Sequence, residues 1–201
     1  SAASDVYKRQ VGILSFQGSF LDHSKSVYEI GFHPLLIKQS RDLDSIDALI
    51  LPGGESTAMK KINDFSGLLA NLDEIIKDGT PTLTTCAGTI LLAKEVIDGD
   101  ETIPNIDIEV IRNAYGRQAE SFEGSVKFFE NEDIYCFIRA PKISKILSDE
   151  VNIIAEHNDE IVGAAQKNVV ALTFHPELNN DDYYLNWLYD FIQEGKNVRS
   201  L

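Results

Sequence analysis

Short apolar runs alternate with stretches of helical spacing through the first half of the chain. "VGILSF" (11–16), "PLLIK" (34–38), "DALIL" (47–51) and "PTLTT" (81–85) have the near-continuous β-type character of strands buried on both faces. Between them, residues 19–30 carry Phe20, Val27 and Ile30 at helical spacing, with Gly31 placed as a stop. A second helix is predicted over 68–77, ended by Gly79, and a third over 87–96. Strands alternating with helices in this way predict a parallel sheet covered on both faces.

The pattern changes from about residue 106 to residue 174. "SVKFF", "IYCFIRA", "VNIIAEH", "EIVGAAQ" and "VVALTF" follow one another with turn residues between them, which predicts an antiparallel, strand-rich second half. The last 20 residues return to helix. Asn180 or Asp181 can cap it, and Leu185, Leu188, Tyr189 and Ile192 are predicted as its apolar face. The Trp187 and tyrosine cluster there is expected to be docking surface rather than a cofactor box. No internal repeat, linker or low-complexity segment interrupts the chain. The expectation is one α/β domain over 11–201, with residues 1–10, "SAASDVYKRQ", set aside as a remnant foreign to it.

Composition narrows the class. The 201 residues suit a single domain, and 43% hydrophobic with 25% charged residues is ordinary for a globular protein. A net charge of −14, from 18 basic and 32 acidic residues, argues against non-specific binding to nucleic acid or to an anionic membrane. Two cysteines are too few for a disulfide framework in a domain of this size. No apolar run approaches the roughly 18 residues of a membrane span. A cytoplasmic enzyme or module is the expected class.

In open α/β sheets ligands gather at the carboxyl ends of the strands. Cys86 stands there, where "PTLTT" gives way to a helical pattern. Such a corner exposes its central side chain at a helix N-terminus, where dipole and free N–H groups favour a thiolate. The N–H of Ala87 would point where an oxyanion forms. A small buried core thiol is the structural alternative. "VVALTFHPEL" supplies His175 and, two residues on, Glu177. In an extended chain these would share a face, and a carboxylate beside an imidazole fixes its tautomer and stabilises its cation. A capping histidine before an ordinary turn is the alternative, weakened by the presence of Cys86.

"LILPGGESTAMKK" brings backbone amides close to a ligand. It lacks the Gly-Lys-Ser/Thr ending of a phosphate loop, and Glu55 would repel phosphate, so an oxyanion donor fits better than a P-loop. Arginines in "IRNAYGRQAESF" and "FIRAP" suit bidentate carboxylate binding or a structural salt bridge. Cys136, within "IYCFI", is expected to be buried and inert. His23, His33 and His157 show no metal-ligand spacing and are expected to be surface or structural residues.

Taken together and in this order, "LPGGEST", "TCAGTILLAK", "RNAYGRQAESF", "FIRAP" and "FHPEL" resemble the glutaminase subunits of pyridoxal 5′-phosphate synthase, which are class I, triad-type glutamine amidotransferases. The resemblance runs from about residue 11 to 192. The cysteine corner and His-Pro-Glu specify only the superfamily, and "RNAYGRQ" with "IRAP" narrows it to this subunit. It implies a flavodoxin-like three-layer sandwich with a mostly parallel central sheet and an antiparallel second half. It also implies that Cys86 is the nucleophile, His175 the general base and acid, and Glu177 the orienting carboxylate. Gly54 and Ala87 would supply oxyanion N–H groups. Gly53, Gly54, Glu55, Arg112, Ile138 and Arg139 would line the L-glutamine site, and Gln17 would stand at its partner-facing mouth.

The implied partner is a (β/α)8 pyridoxal 5′-phosphate synthase subunit in a hetero-oligomer, receiving ammonia; this chain itself would need neither metal nor cofactor. A glutaminase serving a different synthase, or a weak or silent assembly subunit, are the alternatives. The second has its warrant in Thr84, which stands where the family usually has glycine and would crowd the corner.

Overall fold

The computed structural model describes residues 8–16, 18–54, 67–99, 102–112, 114–115 and 121–195. Side chains alternating along buried strands divide the core into two. Val11 and Ile13 of β1 (Gln10–Leu14) belong to one apolar cluster and Leu14 to the other. Ala48 and Ile50 against Leu49 and Leu51 in β3 (Ala48–Leu51) repeat the division. So do Val170 and Leu172 against Val169 and Ala171 in β12 (Val169–Leu172). A strand with both faces apolar must be covered on both, and here it is.

With β2 (His33–Ile37) and β4 (Thr82–Thr85), these strands form a parallel array in the order β2-β1-β3-β4-β12, the flavodoxin-like 2-1-3-4-5 arrangement. Beyond β12 the same sheet continues antiparallel through β11 (Glu160–Gln166), β10 (Asn152–His157), β7 (Ser121–Phe128) and β8 (Asn131–Ile138), making nine strands. Helix α1 (Phe20–Glu29) and α4 (Asp182–Glu194) cover one face. Helices α2 (Leu68–Lys77) and α3 (Ala87–Leu92) cover the other, beside a three-stranded sheet of β5 (Ala93–Ile97), β6 (Ile106–Ile111) and β9 (Lys142–Ile146). Three layers result. Among the described residues, no helix is long and apolar enough to cross a membrane.

Two elements differ from the sequence pattern. The third helix stops at Leu92 rather than near residue 96, and Ala93 is extended at φ −64°, ψ 142°. The carbonyls of Leu91 and Leu92 accept from Ile103 N and Asn105 N, so they are not available to carry the helix onward. Residues 93–97 instead pair in parallel with β6. In α4 the N-cap is Asp181, whose side chain accepts from Tyr184 N at 2.9 Å. Its buried face is Tyr184, Trp187, Leu188, Phe191 and Ile192, rotated from the one expected. Trp187 is core, edge-on to Phe128 and stacked on Phe191, and Tyr189 is the exposed member.

Candidate active site

The carboxyl ends of β1, β3, β4 and β12 all lie at one edge of the parallel array, and Cys86 stands just beyond β4 with His175 and Glu177 beyond β12. The fully buried β4 ends at Thr85, and Cys86 follows at φ 49°, ψ −111°. A non-glycine residue in that conformation is strained by about 1–3 kcal/mol and persists only where its surroundings fix it. They do so here: Cys86 N donates to Leu172 O at 2.9 Å, and Cys86 O accepts from Thr89 N at 3.0 Å. Gly88 lets α3 press onto the end of β3, since a Cβ there would lie 2.1 Å from Leu51 O. Thr84 is fully buried under the corner, its Oγ1 2.8 Å from Thr89 Oγ1, which in turn donates to Leu172 O at 2.7 Å. The hydroxyl pair gives Thr84 a place without displacing the corner.

Three segments close around the sulfur. The Cys86 thiol donates weakly to Ile138 O at 3.5 Å. Gly53 packs so tightly that a Cβ on it would meet Cys86 Cβ at 3.0 Å and His175 Cε1 at 3.1 Å. Gly18, at φ +83°, lies against the carbonyl of Gly53, a backbone approach that no side chain could permit.

His175 leaves β12 and donates its N–H to Cys136 O at 2.9 Å, which ties it to β8. Pro176 then opens a short 3-10 turn, Pro176–Leu178, so Glu177 is not in an extended chain as the sequence pattern implied. The fixed φ of proline favours that helical start. The two side chains still meet, with His175 Nδ1 2.7 Å from Glu177 Oε1. That oxygen also accepts from Ser19 Oγ at 2.5 Å, and His23 Nε2 lies 3.4 Å away. Glu177 is almost wholly buried. Burial alone would raise its pKa, but His23, His175 and Ser19 hold it down at about 2. For His175 burial is again opposed, by interactions with Cys86 and Glu177 that push its pKa up to about 10. Those interactions favour the imidazolium, which the Glu177 carboxylate faces.

The other expected residues are placed unevenly. Gly54 is half-buried beside Gly53, and Ala87 begins α3 next to Cys86. Arg112 directly follows β6; Arg139 directly follows β8 and adopts a positive φ of 45°. Gln17 and Glu55 lie outside the described residues. Cys136 is half-buried rather than buried, and burial together with Glu123 raises its pKa, so its thiol stays protonated. His33 is exposed, and His157 Nδ1 bonds Ser125 O beside Phe122 and Phe137. His23 is structural rather than surface, and its place behind the site was not read from the sequence. It is fully buried behind Glu177, and the available signal was its position one helical turn after Ser19. Among the described residues, no group of three or more His, Cys, Asp or Glu side chains could hold a metal ion.

A strained cysteine corner beside a histidine and a buried glutamate suits nucleophilic hydrolysis, and comparison with known proteins gives the family. Residues 13–195 match the SNO glutamine amidotransferase family. The chain belongs to that family. The amidotransferase is 44% identical over 182 residues to the pyridoxal 5′-phosphate synthase subunit PdxT of Clostridium beijerinckii, covering 89% of this chain and 95% of the relative. It is 39% identical over 195 residues to the PdxT subunit of Geobacillus thermodenitrificans, covering 96% and 100%. A crystal structure of a glutamine amidotransferase superposes on it with a TM-score of 0.83 at 33% identity, over 91% of this chain and 98% of that one.

Proposed function

We propose that this amidotransferase hydrolyses L-glutamine to L-glutamate and ammonia, and that the ammonia is delivered to a synthase subunit making pyridoxal 5′-phosphate. The observation that carries the reading is the convergence of Cys86, on its strained corner, with His175, whose Nδ1 is 2.7 Å from the buried Glu177. Likeness to subunits named for pyridoxal 5′-phosphate synthase supports the product pathway. The chain acts in the cytoplasm, and its partner is a (β/α)8 subunit docked over the mouth of the site.

In the reaction, the Cys86 thiol passes its proton to His175 as the sulfur attacks the side-chain amide carbon of glutamine, and the carbonyl electrons move onto oxygen. Backbone N–H groups of Gly54 and Ala87 hold that oxyanion. His175 gives a proton to the amide nitrogen, the carbon–nitrogen bond breaks, and ammonia leaves. A γ-glutamyl thioester remains on Cys86. Water then gives a proton to His175 and attacks the thioester; the carbon–sulfur bond breaks, glutamate leaves, and His175 returns the proton to the sulfur, restoring the thiol. Glu177 orients the imidazole and stabilises its cation. Arg112, Ile138, Arg139, Gly53 and Glu55 bind the amino acid, and Gln17 couples the site to the partner.

Steric crowding by Thr84 would have favoured a silent assembly subunit. Against that reading, the Thr84 side chain is buried and hydrogen-bonded to Thr89. Glutamate release from glutamine, measured with the synthase subunit present, tests the assignment. Cys86→Ala is expected to abolish it and Cys136→Ala to retain most of it. Equal loss in both variants, with both folded, would overturn the role of Cys86.

A further inference from the structure

Helix α1 turns a polar edge, not an apolar one, toward the back of the site. His23 is fully buried, and its N–H donates to Ser19 O within the helix. Its ring nitrogen Nε2 lies 3.2 Å from Thr85 Oγ1 and 3.4 Å from Glu177 Oε1. Thr85 is the residue before Cys86, and Glu177 is the residue that meets His175. One ring therefore touches both ends of the site.

We propose that His23 is a positioning residue of the Cys86–His175–Glu177 triad, its buried ring bridging Thr85, to which Nε2 is hydrogen-bonded, and the Glu177 carboxylate 3.4 Å away, while Ser19 donates to the same oxygen. The inference deepens the glutaminase reading and rests on it for the reaction served.

The geometry selects the tautomer. A carboxylate oxygen presents only lone pairs, so a bare Nε2 would face it with a lone pair of its own. Nδ1 has no hydrogen-bond partner in its buried setting. With the proton on Nδ1, a donor would be left unpaired, the rarer and costlier arrangement. With the proton on Nε2, the donor faces Glu177 and Thr85, and only an acceptor goes unmet. The groups facing the ring are Glu177 and Asp22, which favour its cation, and His175, which opposes it. Burial outweighs them and lowers its pKa, so the ring is neutral at neutral pH and donates from one nitrogen.

A buried histidine that only fills space would tolerate replacement by a side chain of similar size. His23→Leu removes the donor, whereas His23→Gln sets an amide N–H near the place of Nε2. With the synthase subunit present, His23→Leu is expected to lower kcat for glutamine hydrolysis about 10- to 100-fold with KM little changed, the effect of removing the buried polar group that stands between Thr85 and the Glu177 carboxylate. The acid limb of its kcat/KM profile moves to higher pH, because Glu177 loses a neighbour that favours its charged form. His23→Gln recovers most of the rate.

A second readout needs no glutamine. The rate of Cys86 alkylation by iodoacetamide is followed across pH by peptide mass mapping, and it is expected to fall and shift in His23→Leu and to return in His23→Gln. Should His23→Leu fail to fold, Ser19→Ala and His23→Gln are judged by the same readouts, with Ser19→Ala expected to show the Leu-like shift. Wild-type rate and unchanged profiles in the donor-deleted variant overturn the positioning role, as does a Gln variant as impaired as Leu. A wild-type chain inert toward glutamine whose alkylation profile still shifts in His23→Leu counts against the glutaminase reading alone.

Discussion

At the scale of residues, the site is a chain of contacts ending on a single oxygen. Glu177 Oε1 accepts from His175 and Ser19, with His23 beside it, and that convergence sets both pKa values. The consequences for stability follow from the directions of the shifts. Glu177, depressed from an ordinary 4.5 to about 2, contributes stability that is present above pH 4.5 and lost as pH falls toward 2. His175, raised from 6.5 to about 10, contributes stability that is full below pH 6.5 and lost as pH rises through 10. His23 is lowered by burial, so its contribution is full above 6.5 and declines below it.

Glu177→Gln keeps a hydrogen-bonding oxygen near His175 and loses only the charge. It is expected to cost less glutaminase activity than His175→Asn, which removes the proton carrier, and to flatten the loss of stability between pH 4.5 and 2. Glutamate release and denaturation across pH measure both. The reverse order of rates would count against the proton-transfer role of His175. Cys86, His175 and Glu177 were legible as candidates because thiol, imidazole and carboxylate stood beside strand ends. His23 was not, because helical periodicity marks which face is inward but not that a polar side chain on it has a buried carboxylate to meet.

At the scale of elements, the strand-to-helix corner is held by close packing as much as by hydrogen bonds. Gly88 is the contact point, with α3 lying directly on the carbonyl of Leu51. Gly88→Ala is expected to push α3 off β3, destabilise the fold by about 1–3 kcal/mol as overpacking does, and sharply reduce glutamate release. Denaturant unfolding checks the first and a glutaminase assay the second; an Ala variant with wild-type stability and rate would show that the contact is not needed. Most elements were legible from apolar period. The end of α3 was not, because the N–H groups that take its last carbonyls come from Ile103 and Asn105, beyond the reach of any local pattern. The face of α4 was misjudged for a related reason. Trp187 became core because the β7–β8 hairpin supplies Phe128 to receive it.

At the scale of the whole molecule, the topology explains why residues so far apart in sequence meet. The 2-1-3-4-5 order of the parallel strands puts the ends of β1, β3, β4 and β12 side by side. The antiparallel extension then brings Ile138 to the thiol and Cys136 O to His175 N. Strand and helix alternation made the parallel half readable, whereas the nine-strand continuity and the separate β5-β6-β9 sheet depend on long-range pairing that no local period encodes. Gly18 against the Gly53 carbonyl links the β1 end to the proposed oxyanion peptide.

The central claim is that this scaffold carries a covalent intermediate on one particular thiol. The direct measurement is acid quenching of the chain during turnover of glutamine with its synthase subunit, followed by mass spectrometry of the peptides. A glutamyl adduct is expected on the peptide carrying Cys86 and none on the peptide carrying Cys136. Sustained glutamate release with no adduct on Cys86, or with the adduct on Cys136, would contradict that claim.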